Sequence, residues 1–157
     1  MRRTIMRRLM ILFVFVIGLV VAPAPSAFAS GSLTTSAVEV RGEVTTLVEQ
    51  YEAIYGPQVS QSERADLQAM SREARRDMNT LVRLTRKAER TNKAGDWQRA
   101  SRHYAAIRTK GDERLADAQD IIAPKMSLTE QLSAWSQARS VMADLDSLGA
   151  QLARRAG

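Results

Sequence analysis

Apolar residues recur at alternating steps of three and four along most of the chain, and this spacing limits the possible fold more than any other feature. Such spacing is typical of a helix that buries one side against other helices. The first run consists of Leu33, Ala37, Val40, Val44, Leu47, Tyr51 and Ile54. Gly56 and Pro57 follow it directly and predict the end of that helix, because proline cannot continue the backbone hydrogen bonds.

Three further runs follow, and each is bounded by residues that start or stop helices. Ser60 and Ser127 each stand three residues before a glutamate, which is the spacing of a capping box, and Ser36 and Glu39 repeat it in the first run. The pattern predicts helices over about 33–55, 61–93, 96–123 and 127–154. The apolar residues of the second helix are Leu67, Met70, Ala74, Met78, Leu81, Val82, Leu84 and Ala88. Those of the third helix are Trp97, Ala100, Tyr104, Ile107, Gly111, Leu115, Ala118 and Ile122. The run of the fourth helix is Leu128, Leu132, Trp135, Ala138, Met142, Leu145 and Leu152.

The connections between these helices are short. Gly95 suits the left-handed residue that ends the second helix, Asp96 suits the N-cap of the third, and Pro124 ends the third. Connections of a few residues make sequential helices antiparallel neighbours. The sequence therefore predicts an all-α fold, an antiparallel (up-down-up-down) four-helix bundle formed by one domain over 30–157.

The first 29 residues have the organisation of a cleavable bacterial signal peptide. An apolar run over 9–22 follows a cationic start, and Ala27 and Ala29 form an A-x-A cleavage site before Ser30. A membrane anchor is the alternative, but a spanning helix needs about 20 apolar residues and this run ends at Pro23. We therefore predict an exported protein, periplasmic or extracellular. Membrane contact is expected only through an uncleaved signal peptide or a peripheral basic surface.

Most of the net charge of +6 belongs to that N-terminal segment, which contains Arg2, Arg3, Arg7 and Arg8. The whole chain has 23 Lys and Arg against 17 Asp and Glu, so the predicted mature domain keeps 19 against 17, a net of +2. Because this charge is too weak to steer a polyanion by itself, we expect no nucleic-acid partner. The chain has no cysteine, which excludes disulfides and lipoprotein-type lipid attachment.

No spacing of reactive side chains suggests catalysis, and we predict no catalytic residue, no cofactor and no metal. His103 is the only histidine, and the Glu-x-x-His motifs of di-iron bundles are missing. The most specific alternative to a protein without a cofactor is one that binds a haem between His103 and a methionine. Methionines at helical spacing more often fill a core, and four are available, namely Met70, Met78, Met126 and Met142.

Charge is unevenly distributed, since residues 83–110 contain nine basic side chains against Glu89 and Asp96 alone. Antiparallel packing would bring them to the turn between the second and third helices, where Trp97 is expected to be packed. A solvated helix face is the simpler interpretation. The other is a site for an anionic envelope component or an acidic protein, which we call the basic tip: Arg83, Arg86, Lys87, Arg90, Lys93, Arg99 and Arg102.

The chain resembles two known kinds of protein in part. The stretch from Asn92 to Ile107 resembles the turn and second helix of a tetratricopeptide repeat, but no second copy follows at that period, which favours a simple helical hairpin. In outline the chain is also similar to small periplasmic chaperones of the Spy and CpxP type. Their Leu-Thr-x-x-Gln repeat is missing here, because Leu128-Thr-Glu-Gln131 occurs once with its Gln one position early.

These observations rank three functions. The first is a non-catalytic binding or interaction protein of the bacterial cell envelope, acting through the basic tip or through an apolar groove between helices. A periplasmic holdase-like chaperone is the second, and a structural or self-assembling helical subunit is the third. An enzyme is the least favoured class, because no group of titratable residues has a suitable spacing.

Overall fold

The computed structural model describes residues 32–157, which form four helices packed against one another. We name them α1 (Leu33–Tyr55), α2 (Gln61–Thr91), α3 (Ala94–Ile122) and α4 (Leu128–Ala156). No strand occurs among the described residues, and the all-α prediction is confirmed. The predicted signal peptide and its cleavage residues, Ala27 and Ala29, lie outside the described residues.

The predicted stop signals end α1 and α3 through short 3₁₀ turns. Gly56–Gln58 and Ala123–Lys125 each contain a proline, Pro57 or Pro124, at a position where the missing N–H has no helical partner to lose. These turns tighten the chain after each helix. Consequently α2 and α4 begin within a few residues of the helices that precede them.

Serine caps start three of the helices, and two of the three predicted capping boxes are confirmed. The backbone N–H of Ser60 donates to Glu63 Oε2 at 2.8 Å, and that of Ser127 donates to Glu130 Oε2 at 2.7 Å. The third capping box is wrong. Helix α1 starts earlier, where Ser32 Oγ accepts from the Thr35 N–H at 3.2 Å, and Ser36 is a buried residue within that helix.

The turn between α2 and α3 differs from its prediction. Asn92, not Gly95, has the left-handed conformation, with φ 47° and ψ 30°. Asparagine tolerates this region better than other non-glycine residues do. Gly95 and Asp96 therefore lie in the first turn of α3, whose N-cap is Lys93. There the Asp96 carboxylate accepts a hydrogen bond from Thr91 Oγ1 at 2.8 Å and so links the two helices.

Two groups of buried apolar residues form the core. The first core cluster is the larger and takes residues from all four helices: Leu33, Ala37, Val40, Met78, Leu81, Val82, Ala88, Trp97, Ala100, Ile107, Leu145, Leu148 and Leu152. The second core cluster consists of Tyr55, Val59, Leu67 and Ile122, with Met126 packed against it. Trp97 is 4% exposed, so its predicted packed position is confirmed.

The apolar run predicted for α4 is wrong at its start. Leu128 is 79% exposed and Leu132 is 66% exposed. Gln131 is less exposed than either leucine, and its Nε2 donates to the carbonyls of Ala123 at 3.0 Å and Met126 at 3.1 Å. Because Gln131 turns toward the α3–α4 connection to satisfy these carbonyls, its neighbour Leu132 points to solvent.

Because of the two capping boxes, we expect the folded state to lose stability at acidic pH. Hydrogen bonds from Ser60 lower the pKa of Glu63, and hydrogen bonds from Ser127 lower the pKa of Glu130. Both carboxylates therefore stabilise the fold above the pKa of an unfolded glutamate, about 4.3, and lose that effect as the pH falls through their lower folded pKa. We expect the melting temperature to fall as the pH is lowered from about 5 to about 3.

The paired substitution Glu63→Gln with Glu130→Gln isolates this effect, because glutamine can occupy the same capping position without titrating. Thermal melts of parent and variant, followed by circular dichroism across this pH range, should give a shallower profile for the variant. Parallel profiles would show that the capping boxes do not contribute to the acid sensitivity.

Candidate functional site: an apolar cavity inside the helices

Residues of all four helices line a cavity of about 200 Å³ that adjoins both core clusters. Its wall includes Met78, Ile107 and Leu145 from the first core cluster and Leu67 and Ile122 from the second. On α2 alone the lining runs from Leu67 to Met78, a length of about 16 Å at 1.5 Å per residue. The cavity is therefore elongated along the helices.

Small side chains explain why the helices leave this space. Ala74, Gly111, Ala118, Ala134 and Ala138 all line the cavity, at positions where leucine would fill it. Four of these five residues, all except Ala134, belong to the apolar runs predicted from the sequence. The spacing shows which side of a helix faces inward. The sizes of the residues that face one another decide whether that interior is full.

The four methionines that the sequence suggests as core filler all lie on the cavity wall: Met70, Met78, Met126 and Met142. Methionine is flexible and polarizable, so such a wall adapts to the shape of what it contacts. His103 is not among the lining residues, and its Nε2 lies 3.1 Å from the backbone oxygen of Asp77. The structure therefore does not bring the histidine and these methionines to one site.

The charged groups beside the cavity already have partners. Arg114 Nη2 donates to Asp77 Oδ2 at 2.9 Å and to Glu73 Oε2 at 3.0 Å. Glu52 lies 3.9 Å from Arg75 Nη2, and the same nitrogen donates to Ser71 Oγ at 3.1 Å. Because these charges are compensated within the protein, the cavity presents a mainly apolar surface to an occupant.

Large apolar side chains are exposed where α1 ends and α4 starts. Ile54 is 54% exposed, and Leu128 and Leu132 are more exposed still. Nearby, Tyr51 lines the cavity, and its hydroxyl donates to Gln137 Oε1 on α4 at 3.3 Å. In this part of the molecule, some apolar side chains are exposed to solvent and others line the cavity.

The structure divides the predicted basic tip into different environments. Lys87 Nζ and Arg99 Nη1 lie 3.0 Å and 3.7 Å from Asp96 Oδ1. Hydrogen bonds from Thr91 and Lys87 lower the pKa of Asp96, so this carboxylate stays charged and compensates both cations. Lys93 caps α3 and is exposed, as is Arg102. The remaining members, Arg83, Arg86 and Arg90, are exposed on α2.

The start of α1 and the end of α4 also reach this turn. Burial opposes ionisation of Glu89, but its polar neighbours at the start of α1, at Thr34, Ser32 and Leu33, outweigh that effect and lower its pKa. The Arg155 guanidinium carbon lies 5.9 Å from the centre of the Trp97 ring. Sequence reasoning missed Arg155, although an arginine near the end of the fourth helix of an antiparallel bundle would be expected at this turn.

Comparisons of the chain with protein-family models, with curated proteins and with solved structures found no match. None of the helices between residues 32 and 157 combines the length and apolar character needed to cross a membrane. Over the same residues, no group of three or more His, Asp or Glu side chains is placed to hold a metal ion.

Proposed function

We propose that this chain is an exported, non-catalytic binding protein of the bacterial cell envelope that takes an uncharged, apolar ligand into the cavity between its helices. The observation that carries this proposal is the cavity itself, which all four helices line with small and flexible side chains. An apolar cavity of about this size gains contacts when an apolar molecule enters it.

The polar groups at the cavity favour an uncharged ligand. The charges of Arg114, Glu52 and Arg75 are each compensated by an oppositely charged side chain of the protein. The side chain of Gln131 donates to backbone carbonyls. A charged ligand would have to displace one of these partners and lose its own hydration. An apolar ligand needs no such exchange.

Two further parts of the proposal concern architecture and location. Pairs between α1 and α2 support the antiparallel, up-down-up-down topology, since Arg41 donates to Asn79 while Glu49, later in α1, pairs with Arg75, earlier in α2. The pattern of residues 1–29 supports a signal peptide and therefore a periplasmic or extracellular location.

Filling the cavity should prevent ligand binding without harming the fold. Ala118 lines the cavity, whereas Ala116 is exposed on the same helix. We expect Ala118→Leu to weaken the binding of a neutral apolar probe such as N-phenyl-1-naphthylamine by about 10-fold or more, because the added carbons occupy the probe's space, and to raise the melting temperature. Ala116→Leu should change neither property.

Trp135 offers a direct readout, since it lines the cavity while Trp97 lies in the first core cluster. In a Trp97→Phe background, titration with the probe should quench or shift Trp135 emission, and Ala118→Leu should abolish the change. A probe that binds Ala118→Leu as tightly as the parent would refute the cavity as the binding site.

The exposed apolar side chains Ile54, Leu128 and Leu132 favour a holdase-like chaperone as the second candidate. In that case the chain would suppress the aggregation of an unfolded client, and Ala118→Leu would suppress it equally well because the client binds outside the cavity. A structural subunit, the third candidate, would instead form a discrete oligomer in analytical ultracentrifugation without any probe or client.

A further inference from the structure

Five arginines of α2 form a single straight face on the outside of the molecule. With 3.6 residues per turn, their positions fall within an arc of about 80° around the helix axis. At 1.5 Å per residue they extend over about 27 Å. All five are exposed, and we call them the arginine face: Arg72, Arg76, Arg83, Arg86 and Arg90. Only three of them belong to the predicted basic tip, which began at residue 83.

The cations of α2 that point toward neighbouring helices are neutralised, but those of the arginine face are not. Arg75 pairs with Glu49 on α1 at 3.5 Å, and Lys87 pairs with Asp96 on α3 at 3.0 Å. Within residues 32–157, no ion pair or hydrogen bond engages a member of the arginine face. Like charges three and four residues apart on one helix repel each other. An anionic ligand would remove that repulsion.

The surroundings of the arginine face favour a narrow ligand over a membrane. Glu49 on the α1 side has a side chain that is 56% exposed, and Glu73 on the α3 side has one that is 61% exposed. A flat anionic bilayer would bring these carboxylates against like charge. The large exposed apolar side chains, Ile54, Leu128 and Leu132, lie on α1 and α4, so none of them could anchor α2 in lipid.

The chemistry of this face points to phosphate groups and away from nucleobases. Every member is arginine, whose planar guanidinium binds phosphate through two parallel hydrogen bonds. Helix α2 contains no Phe, Tyr or Trp, the side chains on which unpaired bases stack in single-strand binding proteins. The depression along Arg72, Arg76, Asn79 and Arg83 is shallow and belongs to α2 alone, so an elongated ligand can lie along it.

We propose that the arginine face of α2 binds a linear, base-free phosphate polymer that lies along the helix and contacts successive guanidinium groups. This site is independent of the cavity and of the proposed apolar ligand. Because several weak contacts act together, binding depends on the length of the polymer. Tripolyphosphate spans only part of the face, whereas long-chain polyphosphate reaches all of it.

The test measures binding of long-chain inorganic polyphosphate to the full chain at several salt concentrations. We expect the logarithm of affinity to fall with the logarithm of salt with a slope of about −3.5, from about −0.7 for each of five contacts. Tripolyphosphate should bind at least about 10-fold more weakly. The triple variant Arg76→Gln, Arg83→Gln and Arg86→Gln should bind polyphosphate about 100-fold more weakly, with a slope that is smaller by about 2.

A second triple variant controls for net charge. Lys110→Gln, Lys125→Gln and Arg139→Gln remove three exposed cations from other parts of the molecule and should leave the affinity within about 3-fold of the parent. Circular dichroism of both variants checks that the helices are intact.

Three results would overturn the proposal. The first is equal weakening by the two triple variants, which would show an effect of net charge alone. The second is tighter binding of a single-stranded oligonucleotide than of polyphosphate. The third is binding to phosphatidylglycerol vesicles, abolished by the arginine variant, without binding to polyphosphate, which would make this face a membrane surface.

Discussion

Replacing Leu148 by alanine should lower the free energy of unfolding by about 2–5 kcal/mol, the largest effect that we expect from any single truncation in this chain. Leu148 is 0% exposed and belongs to the first core cluster with Leu81 and Leu152, which are also fully buried. Truncation removes apolar contacts and leaves a void that tightly packed neighbours fill only in part.

Leu132→Ala on the same helix is the matched control, because Leu132 is 66% exposed and loses little buried surface. Chemical denaturation with guanidinium chloride measures both variants, and their midpoints should differ clearly at similar slopes. Similar midpoints for the two variants would contradict the assignment of Leu148 to the core and of Leu132 to the surface.

The second prediction compares one chemical change at two glycines. Gly149 is buried on α4, and a Cβ atom there would overlap the ring of Tyr104 on α3. That ring is held in place, because the Tyr104 hydroxyl donates to Asp146 Oδ1 at 2.7 Å and the same oxygen accepts from Arg108 Nε at 2.7 Å. Alanine at position 149 must therefore push the ring away or separate the two helices.

We expect Gly149→Ala to lower the free energy of unfolding by up to about 2 kcal/mol, since an overpacking cost of about 1–3 kcal/mol is offset only by a gain of about 1 kcal/mol in helix propensity. Gly111→Ala should have the opposite sign. Its Cβ would lie 3.6 Å from Met142 Cε, an ordinary contact at the cavity, so the gain in helix propensity remains.

A double-mutant cycle with Tyr104→Ala tests the cause. Without the ring, Gly149→Ala should become neutral or stabilising, as Gly111→Ala is in the parent. If Gly149→Ala destabilises the Tyr104→Ala variant as much as the parent, then the contact with the ring is not the reason for glycine at this position.

These two glycines show how much of the packing between helices can be predicted from the spacing of apolar residues. Gly149 stands four residues after Leu145 and three before Leu152, so it continues the predicted apolar stripe of α4. The predicted stripe goes from Leu145 directly to Leu152 and leaves Gly149 out, although the stripe predicted for α3 includes Gly111. A gap of seven residues in an otherwise regular stripe was the available signal for a close approach between helices.

The cavity and the arginine face were predicted only in part, for different reasons. Ala74, Gly111, Ala118 and Ala138 are on the predicted stripes, yet their small size suggests a void only once the helices are known to face one another. In the sequence, the nine basic residues of 83–110 indicate a basic surface at the turn between α2 and α3. Ion pairs across the helices, such as Lys87 with Asp96, then decide which cations remain available.

Local physics was enough to predict four helices, their approximate ends and two capping boxes, because backbone hydrogen bonding, proline and periodic burial act over a few neighbouring residues. Only the tertiary structure decided that Asn92 makes the turn, that Gln131 faces inward in place of Leu132, and that small residues leave a cavity. Each of these depends on which side chains from distant parts of the chain meet, and packing density is a property of that meeting rather than of any one helix.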